Sequence, residues 1–103
     1  MKRERMLEEL EQAAEALEIK VVYERLTPEA SPGGLCRVGG EYRVIIDRHT
    51  PVPDRIGVLL AAIARFPTEG IFLSPKVRAA VERRAGELQP FEAEAEAEAE
   101  ENP

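Results

Sequence analysis

Leu35-Cys-Arg-Val-Gly-Gly-Glu-Tyr-Arg-Val-Ile-Ile-Asp47 decides the fold class. Leu35-Cys-Arg-Val38 and Tyr42-Arg-Val-Ile-Ile-Asp47 flank Gly39-Gly40, and paired glycines supply the positive φ angles that a tight hairpin turn demands. In the second run Tyr42, Val44 and Ile46 alternate with Arg43, Ile45 and Asp47. That period of two gives one apolar face and one mixed face, so the stretch predicts a β-hairpin laid on a core.

Toward the N-terminus, Thr27-Pro-Glu-Ala-Ser-Pro-Gly-Gly34 reads as a loop. Before it, Ile19-Lys-Val-Val-Tyr-Glu-Arg-Leu26 is rich in β-branched and aromatic residues and predicts a strand. Leu7, Leu10, Ala14 and Leu17 recur at helical spacing, with Met6 and Ala13 beside them and Glu4, Glu8, Glu11, Glu15 and Glu18 opposite. An amphipathic helix over residues 3–18 follows from that pattern.

Toward the C-terminus, Thr50-Pro51 offers a capping hydroxyl followed by a first-turn proline, and Pro53 and Asp54 suit the same turn. The predicted helix runs to Phe66, where Pro67 stops it. Its middle, Val58-Leu-Leu-Ala-Ala-Ile-Ala64, has no polar stripe, so it demands cover from the domain or from a partner. Ile71-Phe-Leu73 reads as a short extended segment. Ser74-Pro75 then opens a last helix with Val77, Val81, Ala85 and Leu88 facing inward. The expected architecture is α+β, a small antiparallel three-stranded sheet packed with helices, in the order α-β-β-β-α-(β)-α. One domain spans residues 1–90, and residues 91–103 form an acidic low-complexity tail expected to be disordered.

Charge sharpens that division. The chain has 103 residues and a net charge of −6. Six glutamates and no basic residue lie in 91–103, and the remainder holds 14 acidic residues against 14 basic ones. A neutral body without a basic run lacks the electrostatic footprint of a nucleic-acid binder. With three Phe, two Tyr and no Trp there is little material for a base-stacking platform. Cys36 is the single cysteine, which rules out an intrachain disulfide and cysteine-rich zinc sites. The N-terminus enters a charged helical pattern directly, and no apolar stretch approaches the ~18–20 residues of a membrane span. A cytoplasmic protein with no membrane partner is expected. Arg outnumbers Lys by eleven to three, a bias that fits bacterial genome composition or a thermophile.

The Leu17-Glu-Ile19 turn, the glycine-rich loop, Val44-Ile-Ile-Asp47, Thr50-Pro51 and the Leu60-Ala-Ala-Ile-Ala-Arg-Phe66 helix together resemble the N-terminal half of the ImmA/IrrE-type zincin-like metallopeptidases. The resemblance covers residues 7–66 and rests on element order and local pattern. It implies a zincin-like scaffold whose second helix would carry His-Glu-x-x-His, two histidines for zinc and a glutamate for the attacking water. At those three positions stand Ala62, Ile63 and Phe66, so the resemblance implies a degenerate member that lacks the chemistry. His49, the only histidine, precedes the helix.

No catalytic, cofactor or metal residue is therefore assigned. Val58, Ala62 and Phe66 form one apolar line and Ile56, Leu59 and Ile63 another, so this helix wants neighbours on two sides. Val58, Leu59, Leu60, Ala62, Ile63 and Phe66 are the candidate interface, for a homodimer or a regulatory protein partner. Arg37, Arg43, Arg48 and His49, with Arg25 nearby, form a weaker candidate anion site, although Glu24, Glu41 and Asp47 interleave with them. Cys36 with His49 could make a thiol pair, but no third orienting residue is identifiable, and Cys36 reads rather as a small buried hydrophobe and His49 as a loop residue. Gly33-Gly34 and Gly39-Gly40 match no phosphate-binding pattern and are explained by turns. The leading expectation is a non-enzymatic interaction protein. The alternative is a small ligand- or anion-binding protein, or a minor enzyme, using the Arg-rich hairpin face and Cys36.

Overall fold

The computed structural model describes residues 1–25 and 33–87. Helix α1 (Arg3–Ala16) leads into strand β1 (Ile19–Glu24), followed by β2 (Gly33–Val38), β3 (Glu41–Asp47), α2 (Val52–Ile63) and α3 (Pro75–Glu87). Among the described residues the fold is α+β, with three helices and one three-stranded sheet.

The hairpin forms as its sequence dictates. Gly39 and Gly40 adopt φ of 57° and 84°, and β2 pairs antiparallel with β3, Leu35 opposite Val44 and Cys36 opposite Arg43. The expected all-antiparallel sheet does not form. β1 runs parallel to β3, Val21 opposite Val44 and Val22 opposite Ile45, and the order β1-β3-β2 makes the sheet mixed. β3 takes the centre, with β1 on one edge and β2 on the other. β2 begins at Gly33, so the two glycines placed in the preceding loop belong to the strand.

Both α1 and α2 cover one face of the sheet. Leu7, Leu10, Ala13 and Ala14 of α1 join Ile19, Val44 and Ile46 of the sheet and Ile56, Leu59, Ala62 and Ile63 of α2 in one core. Val77 and Val81 of α3 complete it. α1 stops at Ala16, earlier than its apolar pattern runs. Glu18 takes φ of 63° and turns the chain into β1, a left-handed position that usually falls to glycine.

Four further expectations are corrected. Thr50 is not the cap of α2: Pro51 takes that place without a side-chain cap, and Thr50 is buried in the turn. α2 ends at Ile63, and Arg65 N–H and Phe66 N–H bond three residues back to Ala62 and Ile63 as the helix tightens before Pro67. Ile71–Leu73 forms no strand. Leu73 sinks into the core and Phe72 is 81% exposed, while the Arg78 guanidinium donates to the Ile71 carbonyl at 3.0 Å in place of a sheet partner. The chain is held there by Glu9, whose carboxylate accepts from Ser74 N–H at 2.8 Å. Ala85 is exposed rather than inward, because α3 meets the core only through its first two turns. Leu26, Leu88 and the acidic tail lie outside the described residues.

Candidate functional site

Along the outer side of α2 runs a groove of about 790 Å³. One wall is β2, through Gly34 and Leu35. The other is a stripe of Asp54, Gly57, Val58 and Ala61 on α2, continued by Arg65 in the turn that follows, and Thr50 and Pro51 close one end. From Asp54 to Arg65 the stripe rises about 16 Å, the length of roughly five extended residues. Its charges sit at the two ends, and the middle is small and apolar.

Two glycines line the groove. Gly57 lies inside α2, where glycine costs roughly 0.5–1 kcal/mol relative to alanine. Nothing lies within 4 Å of where its Cβ would be, so no close packing requires the loss. Gly34 is likewise open on its missing side-chain side, and a glycine inside a strand lets another backbone approach. β2 is an end strand of the sheet, so its outer edge has no strand partner among the described residues. That edge, which no described strand covers, borders an apolar trough.

The groove's end is fixed by Arg55. Its Nε donates to the Thr50 carbonyl and one terminal nitrogen to the Arg48 carbonyl, each at 2.7 Å. The guanidinium also lies over the Tyr23 ring, 5.1 Å from its centre. Tyr23 in turn donates its hydroxyl to the Glu11 carboxylate. Burial, then the bond to Glu11, raises its pKa from 10.0 to about 12. One side chain therefore ties the β3–α2 turn to β1 and α1. Sequence reading missed Arg55, which sits among many arginines with nothing in its neighbours to mark it.

The candidate interface residues divide. Leu59, Ala62 and Ile63 are spent in the chain's own core. Val58, Leu60 and Phe66 are half-buried, and Phe66 packs edge-on against Tyr42 with ring centres 4.9 Å apart. Val58 and Ala62 border the groove. The sequence signal that could have found the groove is Gly57, a glycine at the head of the apolar run.

The candidate anion residues are not brought together. Arg37 lies on the helix-covered side of the sheet, 5.2 Å from the Tyr42 ring centre. Arg43 lies on the opposite face and pairs with Glu41 at 3.0 Å. Arg48 and His49 occupy the turn beyond β3, where His49 N–H donates to Asp47. None of the four lines the groove. Cys36 is level with Arg43 in the sheet, so His49, past the far end of β3, does not meet it. Among the described residues no three His, Cys, Asp or Glu side chains gather as a metal site, and no helix is long and apolar enough to cross a membrane.

The chain matches no family model, no characterised protein by sequence and no solved structure.

Proposed function

We propose that the protein is a non-enzymatic binding module whose groove takes an extended segment of a partner protein as an added strand on β2. The carrying observation is the juxtaposition of the outer edge of β2, which has no strand partner among the described residues, with a helix stripe kept open at Gly57. Strand addition supplies main-chain hydrogen bonds along the edge, and alternate side chains enter the trough beside it. Ala61 and Val58 admit small and medium apolar groups there, and Asp54 and Arg65 set the direction in which a charged segment lies.

The ImmA/IrrE-type resemblance belongs to this proposal as ancestry. A zincin-like scaffold that carries Ala62 and Ile63 in its core and Phe66 against Tyr42 has packing where the family has its chemistry. A cytoplasmic setting accords with a lone free Cys36.

Panning a displayed library of random heptapeptides against the full chain tests the reading. Enriched peptides should bind with micromolar Kd and shift the amide resonances of Gly34, Leu35, Gly57 and Ala61. Failure to enrich any sequence, or shifts confined to another surface, would overturn it.

A further inference from the structure

The face of the sheet turned away from the helices carries a pattern of its own. Lys20, Val22 and Glu24 of β1 share that face with Gly34, Cys36 and Val38 of β2 and Glu41, Arg43, Ile45 and Asp47 of β3. Register aligns these residues in rows across the strands. Lys20 and Arg43, level with Cys36, form a basic row, Val22, Ile45 and Gly34 an apolar row, and Glu24 with Asp47 an acidic row. Val22 and Ile45 take no part in the helix-side core, and Val38 is 50% exposed.

We infer that this open face is the contact surface of a homodimer, two copies stacking sheet on sheet with strands antiparallel. The order of the rows selects a second copy as the occupant. A two-fold axis laid along the apolar row, midway between the sheets, sets Ile45 on Ile45 and Val22 on Val22. The same operation places Lys20 over Glu24 of the second copy and Arg43 over Asp47, with both pairs repeated by symmetry. The other two-fold, along the strands, would set basic on basic and acidic on acidic and is disfavoured. Arg43 enters the contact already held by Glu41 at 3.0 Å, which pre-orders its side chain. The face measures roughly 20 Å along the strands and 14 Å across them. That is small beside the ~800 Å² per partner of a stable interface, so the dimer is weak and concentration-dependent. The groove meets this face only at Gly34; its other lining residues lie on the helix side of the sheet or on the helix and its flanking turns.

Sedimentation or light scattering of the full chain from micromolar to millimolar concentration reads the equilibrium. Lys20→Glu and Glu24→Lys, both at exposed positions, should each weaken dimerisation about tenfold, because each reverses two symmetry-related pairs. The double variant K20E/E24K restores the pairing with signs exchanged and should recover the original dissociation constant. Ile45→Lys should give a monomer, with a cooperative melt reporting that it still folds. A chain that stays monomeric throughout, a dimer indifferent to Ile45→Lys, or a double variant no better than the singles would overturn the inference.

Discussion

The two sides of α2 are built from similarly apolar residues and do opposite things. On one side Ile56, Leu59 and Ile63 interlock with α1, the sheet and α3. On the other, Gly57, Val58 and Ala61 line open space beside β2. Volume separates them. Large branched side chains fill the first side and small ones keep the second side hollow, so hydrophobicity alone cannot distinguish core from site on this helix.

Breaking the filled side should have the largest effect. Leu59→Ala is expected to cost about 3 kcal/mol, since it removes a fully buried side chain and leaves a void. Urea denaturation measures it. A loss below ~1 kcal/mol would mean that the helix is not seated as described. Next comes the boundary between the sides. Arg55→Met keeps the apolar stem and deletes the bonds to the Thr50 and Arg48 carbonyls, with an expected loss of about 1–2 kcal/mol. The hollow side should respond with the opposite sign. Gly57→Ala meets no atom within 4 Å and is predicted to stabilise the chain by about 0.5–1 kcal/mol while narrowing the groove.

The smallest effect concerns Tyr23, beneath Arg55. Its pKa is raised from 10.0 to about 12 by burial and by the Glu11 bond, so the unfolded chain releases this proton first. Its stabilising contribution is complete below pH 10 and declines as pH rises toward 12. Tyr23→Phe should flatten that part of the stability–pH curve. An unchanged slope would separate Tyr23 from Glu11.

Much of the fold is legible in the sequence because its elements are local. The Gly39-Gly40 hairpin, the amphipathic α1 and the proline-led α2 and α3 each follow from short-range rules. The parallel pairing of β1 with β3 is not local, since nothing between Ile19 and Asp47 states which edge of β3 each neighbour takes. Ile71–Leu73 misleads for a related reason: its apolar residues are met by core packing and by Arg78, with no strand beside them. The groove was half legible. The length of the apolar run showed that α2 needs cover on several sides, but only the packing reveals that Leu59, Ala62 and Ile63 are covered already. The proposed anion cluster failed on alternation, because Arg37 and Arg43 point to opposite faces of one hairpin.

The most direct test fills the hollow side without touching the core. Gly57→Leu places a branched side chain in open space inside the groove. For a peptide selected on the native chain, calorimetry should show binding weakened at least tenfold while the thermal midpoint stays at or above that of the parent. Undiminished binding by a folded Gly57→Leu variant would show that the peptide sits elsewhere, and the groove would lose its role.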